Sequence, residues 1–327
     1  MKRLLTILLS ALICLSVLIM GGCNEKEFYT FYCPDGAPAL SIAGFISDKE
    51  NFDADKPFSY NVVSATEINN AILKEDADFI IMPLNSATKL YKNAGKSNYK
   101  MVSVITHGNF YLMSKTTLSN AQDLLGKVIY VPQSGKVPDL TLQASLTALQ
   151  IPFESGDTAK EGKVVLNYSL VEASNIVKGM LAGNVGIEIG LIPEPAATNL
   201  NAKGFNYQLS LQELYDADAK SYPQAVLMAK ESVVKREKEL IFNMANAFAE
   251  NVKFAENNPK KAVETIKGIF ETTSLASNLS SNAVKGCNIY WQGASFAEDE
   301  VENYIDRIRA INVAFANEVE DEFFLGE

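Results

Sequence analysis

The sequence predicts an α/β protein of two lobes, each a mostly parallel sheet flanked by helices. Short apolar runs alternate with helical stretches over residues 28–229, as in parallel strands joined by crossover helices. This pattern breaks at His107-Gly108-Asn109 and then starts afresh. About 304 residues follow the apolar N-terminal run, more than one hydrophobic core usually serves.

The elements follow in order. Residues 28–33 are a strand, and Pro34-Asp35-Gly36-Ala37-Pro38 turns the chain into a helix to about residue 47. Residues 58–63 form a second strand, followed by a helix over 66–74 with Ile68, Ala71 and Ile72 on one side. Residues 78–82 form a third, wholly apolar strand, and Pro83-Leu84-Asn85-Ser86 opens a helix to about residue 91. Residues 101–114 read as two extended stretches. The renewed pattern has strands at 128–131, 164–168, 187–192 and 207–209, with helices over 139–149, 172–181 and 194–200. Asp139 supplies negative charge to the first turn of its helix, and Gly183 ends the helix before it. After Tyr222-Pro223-Gln224 comes one more strand, 225–229. Helices then fill the rest, with a junction at Asn258-Pro259, a helix over 260–270 and a last one over 298–317. Adding no new sheet, these helices are expected on the first lobe, and Trp291 is expected to pack among them.

The chain opens with Lys2 and Arg3, an apolar run over residues 4–20, and Met20-Gly21-Gly22-Cys23. This resembles the lipobox of bacterial lipoprotein precursors, which implies cleavage after residue 22, lipid on Cys23 and a body held outside the cytoplasm; an uncleaved membrane span is the alternative. The expected division is residues 1–22 as signal peptide, 23–27 as lipidated cysteine and spacer, 28–110 with 224–327 as the first lobe, and 111–223 as the second. With 47% hydrophobic and 21% charged residues the composition is that of an ordinary globular protein. Setting Lys2 and Arg3 aside leaves 27 basic against 39 acidic side chains, and no basic cluster is present, which argues against a nucleic-acid partner. Only Arg236, Arg307 and Arg309 remain to clamp an anion bidentately. Cys33 and Cys287 either pair or, the preferred reading, stay free. A single histidine cannot provide a metal site, and no cofactor is expected.

Five segments carry a family resemblance: Pro34-Asp35-Gly36-Ala37-Pro38-Ala39-Leu40, Ala77-Asp78-Phe79-Ile80-Ile81-Met82-Pro83, residues 123–132 (Asp-Leu-Leu-Gly-Lys-Val-Ile-Tyr-Val-Pro), Glu194-Pro195-Ala196-Ala197, and Tyr222-Pro223-Gln224-Ala225-Val226-Leu227. In order and spacing they resemble the type II solute-binding proteins of ABC importers, in the group that takes nitrate, sulfonates, taurine and thiamine-pyrimidine precursors. The resemblance implies a ligand cleft between lobes joined by two crossovers, closure by hinge motion, and delivery of a small solute by a monomer to permease subunits. Two departures weaken a carry-over of sulfonate-type ligands: the cleft segments lack arginine, and Ala196 stands where many relatives have an aromatic.

Ligands of open α/β sheets sit beyond the carboxyl ends of the strands, so each strand-to-helix turn is a candidate wall. Asp35 reads as a helix cap or as an acceptor for an amine, amidine or aminopyrimidine, with Gly36, Ala37 and Pro38 beside it. Asn85 and Ser86 carry the same pair of readings, and Thr66 is a further candidate. His107 and Asn109 lie at the first crossover. Gln133-Ser134-Gly135-Lys136 offers a hydroxyl, close backbone approach and a cation, although its spacing is not that of a P-loop. Glu194 either complements its helix or lines the cleft, and Tyr222 at the second crossover offers a ring to a flat ligand. The alternative function is an enzyme on the same scaffold, a lyase of the menaquinone- or pyrimidine-synthesis type using Asp35 or Glu194. The export leader and the lack of Cys-His or Ser-His-Asp signatures count against it.

Overall fold

Tyr29-Thr30-Phe31-Tyr32-Cys33 is rich in aromatic and β-branched residues, and Tyr29, Phe31 and Cys33 are buried on one face. This is β1 (Tyr29–Pro34) in a computed structural model that describes residues 28–47, 57–64, 67–68, 70, 77–93, 98–183 and 186–326. The leader with Cys23, and Thr66, lie outside these residues; Ile68, from the helix expected there, is buried. Parallel strands β2 (Phe58–Val63) and β3 (Phe79–Pro83) flank β1. Apolar without interruption, β3 is buried from Phe79 to Met82, as a strand covered on both faces requires.

Two mixed sheets of six strands result, each flanked by helices. In the first, β11 (Pro223–Lys230) runs antiparallel between β3 and β4 (Tyr99–His107), and β12 (Ile289–Gly293) pairs antiparallel with β4 at the edge. The second takes its strands from residues 110–210 alone. There β5 (Phe110–Ser114) lies between β9 (Ile189–Pro193) and β10 (Asn206–Ser210), antiparallel to both. On the far side of β9 run β6 (Val128–Tyr130), β8 (Val164–Asn167) and β7 (Phe153–Ser155), all parallel to it. The edge strand β12 corrects the expectation of helices only beyond residue 233. Its Ile-Tyr-Trp-Gln-Gly run is too short to show a period, and pairing with β4 rather than local propensity makes it a strand.

The helices are α1 (Ala37–Leu40), α2 (Ala43–Ser47), α3 (Leu84–Asn93), α4 (Val137–Ala148), α5 (Ala173–Leu181), α6 (Ala196–Asn201), α7 (Leu211–Tyr215), α8 (Glu231–Arg236), α9 (Lys238–Asn257), α10 (Pro259–Ile269), α11 (Ser281–Gly286) and α12 (Ala294–Ile311). Leu240, Ile241, Met244, Phe248 and Ala255 put a 3–4 spaced stripe of α9 into the core. Pro259 sits in the first turn of α10, where its missing N–H costs nothing. Trp291 lies on β12, with its ring centroid 5.6 Å from that of Phe248.

Helix α12 packs on β4 and β12 of the first sheet and also against α4, beside the second sheet. Its buried Tyr304 shares a 2.9 Å hydrogen bond with Thr141 of α4, and its ring stacks near that of Tyr222, at 6.2 Å between centroids. One apolar core therefore runs from the first sheet through α12 into the second. Cys33 and Cys287 are free thiols, both fully buried.

Candidate functional site

A cavity of about 750 Å3 lies between the two sheets, within the range typical of small-molecule sites. Its walls come from the carboxyl ends of β1, β3 and β9 and from the starts of α1, α4, α5 and α6. One rim is the 270–276 loop after α10.

On the first-sheet side, Asp35, Gly36, Ala37 and Pro38 all line the cavity. Gly36 rather than Asp35 is the N-cap of α1, and its φ of 97° is a backbone state that glycine adopts freely. Pro38 occupies the first turn of α1. The Asp35 carboxylate accepts from the Thr273 hydroxyl, and from the Ser274 backbone N–H at 2.6 Å. It therefore ties the rim loop to the end of β1, a role in neither of the two readings its sequence offered.

On the second-sheet side Asn109, Gln133 and Glu194 line the cavity. Gln133 holds a positive φ of 54° just after β6. Glu194 precedes a cis peptide bond to Pro195 and is buried. Its carboxylate accepts from the Thr198 N–H and hydroxyl, each at 3.0 Å, and from the Tyr207 hydroxyl at 2.5 Å. Burial first, and the Glu194 carboxylate second, push the Tyr207 hydroxyl to a higher pKa. Asn109 donates through Nδ2 to the Cys287 carbonyl at 3.0 Å, while its buried Oδ1 has no partner among the described residues.

The other sequence candidates stand away from the cavity. Asn85 is buried at the start of α3 and donates to the carbonyls of Gly135, at 3.0 Å, and Phe315, at 3.2 Å. Lys136 donates to the Ser86 hydroxyl at 2.9 Å. Burial, with Lys89 adding repulsion, lowers the pKa of Lys136. Together these contacts tie the turn before α4 to the start of α3, lobe to lobe. Gly135 has a φ of 72°, and Ser134 is exposed.

His107 is wholly buried, stacked on Tyr290 at 3.5 Å between ring centroids, with Nε2 2.9 Å from Gln292 Oε1. Burial lowers its pKa to about 4, so it is neutral near pH 7, at the crossover between the two sheets. Tyr222, expected to meet ligand, is instead inside the core between Tyr215 and Tyr304, 0% exposed. The cause is α12, whose approach covers the second crossover.

Several lining residues are not among the sequence candidates: Ser64, Glu172, Ser174, Lys178, Asn199, Gln224 and the segment 272–276. Glu172 is the N-cap position of α5 without capping it through its side chain. A carboxylate at a helix start, just beyond a strand, is the sequence signal for it. Burial, then the facing Asp35 carboxylate, raise the Glu172 pKa. Among the described residues no three His, Cys, Asp or Glu side chains gather as a metal site.

No protein-family model and no curated protein sequence matches the chain. Solved structures do share its fold. An ABC transporter structure from Parabacteroides distasonis superposes with a TM-score of 0.74 at 20% identity, covering 92% of this chain and 100% of that one. The periplasmic aliphatic sulphonate-binding protein SsuA of Escherichia coli gives 0.64 at 12% identity, over 90% and 96%. The ligand-binding component of an ABC-type import system from Staphylococcus aureus, with zinc bound, gives 0.63 at 10% identity, over 92% and 97%. At these identities the likeness establishes the two-lobed periplasmic-binding-protein fold.

Proposed function

We propose that this protein is the solute-binding component of an ABC importer, a monomer outside the cytoplasm that captures a small organic molecule between its lobes and passes it to permease subunits. The observation that carries this reading is the cavity of about 750 Å3, whose walls are drawn from both sheets, so that a hinge motion would open and close it. Lipid on Cys23 would hold the body beside the membrane, with residues 24–27 as spacer. The working division is residues 28–110 with 224–327 as one lobe and 111–223 as the other.

Adjacent chain crossings support a hinge. Gly108 N–H donates to the Tyr222 carbonyl at 2.9 Å, so the two crossovers lie side by side where rotation needs the fewest contacts to change. The lyase reading is not favoured, because its two carboxylates, Asp35 and Glu194, are each engaged by neighbouring hydroxyl and N–H donors. A carboxylate so held is a poor general base. Sulfonate- or nitrate-like anions and aminopyrimidine- or thiamine-precursor-like compounds both fall within the size range of the cavity.

A thermal-shift screen against sulfonates, nitrate, aminopyrimidines, thiamine, riboflavin-like compounds and amines tests the proposal, with small-angle scattering on every hit. A hit that raises the melting temperature, contracts the particle and is recovered unchanged supports capture. Conversion of the hit into product refutes it.

A further inference from the structure

We infer that the cleft selects a solute with a charged N–H donor, a protonated amine, amidinium or guanidinium, and rejects anions. The inference rests on the reading of the cavity as a solute site and adds the chemistry of the solute.

Among the described lining residues the ionisable groups are three carboxylates, Asp35, Glu172 and Glu194, and one lysine, Lys178, which is exposed on α5. Two of the carboxylates are satisfied. Asp35 is held by Thr273 and Ser274, and Glu194 by Thr198 and Tyr207. Glu172 is not: its carboxylate has no hydrogen bond or ion pair among the described residues, and it is half-buried across the cleft from Asp35. Each oxygen of such a group wants a donor, and leaving it dry and unpaired is costly.

The neutral part of the wall points the same way. Asn109 is completely buried, and its Nδ2 bond to the Cys287 carbonyl fixes the amide so that Oδ1 is the atom without a partner. Gln224 Oε1, in the same wall, is also buried without a partner among the described residues. Both are acceptors, as is Glu172. The wall is thus short of donors, and a solute rich in N–H groups supplies them.

An anion would need the opposite. Two of the longer helices that start at the cavity, α4 and α5, already have a carboxylate at the positive end: Asp139 lies in the first turn of α4, and Glu172 stands one residue before α5. Closing the cleft brings Glu172 and Asp35 into a drier space, where their repulsion grows unless a cation lies between them. Burial and Asp35 raise the Glu172 pKa, the direction that repulsion between the two carboxylates requires. No arginine is among the described lining residues to offset this.

Titration calorimetry on the purified protein provides the test, with benzamidinium, propylammonium and methylguanidinium as cationic probes and ethanesulfonate and nitrate as anionic ones. Cation binding is expected, weakened about tenfold or more in Glu172→Gln, with the melting temperature of the unliganded variant unchanged or raised. Equal cation affinity in the variant overturns the role of Glu172. Binding of ethanesulfonate or nitrate to the parent protein, tighter in Glu172→Gln, overturns the cationic assignment while leaving solute capture standing. Binding of neither set overturns both.

Discussion

Replacing Gly108 by alanine adds one methyl group at the first crossover between the sheets, and the surroundings state what it meets. The new Cβ would lie 2.4 Å from Tyr222 Cε1, 2.7 Å from Tyr222 Cδ1 and 2.7 Å from Gln212 Cγ. Carbon atoms in good contact stand about 3.5–4.0 Å apart, so the Tyr222 ring has to retreat by about 1 Å. It has nowhere to go. Tyr222 is fully buried, with Tyr215 at 5.7 Å and Tyr304 at 6.2 Å between centroids, and Tyr304 is itself bonded to Thr141. Overpacking of this kind costs about 1–3 kcal/mol. For a chain of this length that corresponds to a loss of about 1.5–4.5 °C in melting temperature. The same substitution at Gly268, inside α10 with nothing within 4 Å of the new atom, should instead gain up to about 1 kcal/mol, because alanine favours the helix. Scanning calorimetry of the two variants beside the parent is the assay. A Gly108→Ala protein that melts within about 1 °C of the parent would show that the crossovers are not packed as described.

Three other outcomes are expected. Asp35→Ala frees the rim loop from the end of β1, so hydrogen exchange over residues 270–276 should quicken while global melting changes by less than about 2 °C; unchanged exchange would separate Asp35 from the loop. Asn85→Ala removes two buried donors that tie α3 to the Gly135 and Phe315 carbonyls, and denaturant unfolding should report a loss of about 1–3 kcal/mol. His107, with its pKa lowered to about 4 by burial, stays neutral when folded, while the unfolded chain takes up a proton below about pH 6.5. Stability is therefore complete above about pH 6.5 and falls as pH drops toward 4, by up to about 3 kcal/mol from this residue. Melting curves of His107→Gln should have a shallower slope over that window than the parent, and equal slopes would assign the acid loss to other groups.

The fold was legible wherever a strand is buried on both faces. Phe79-Ile80-Ile81-Met82 and Ala225-Val226-Leu227-Met228 announce themselves as apolar runs too short for a helix, and both are central strands of the first sheet. Of the edge strands, β2 and β10 were legible but β7 and β12 were not: β7 has three residues and β12 five, and pairing with a neighbour decides both. The turn Asp35-Gly36-Ala37-Pro38 could be placed on the cavity because a ligand wall at a strand's carboxyl end is a rule of topology. The same rule reaches Glu172, which stands between β8 and α5, but not the 270–276 rim, which follows a helix and comes to the cavity only through tertiary packing. Tyr222 was misplaced for a related reason, as nothing near it in sequence foretells that Tyr304 will cover it.

By itself the sequence determined the alternation of strand and helix, the restart after Gly108 and an acidic surface poor in arginine, because these depend on local period and composition. Tertiary structure alone decided which polar groups were satisfied. Asp35 became an anchor for the rim, Lys136 and Asn85 became ties between lobes, and Glu172 was left facing the cavity. Whether a side chain is consumed inside the protein or left for a ligand depends on what the folded chain brings within 3 Å of it, and those partners lie far away in sequence.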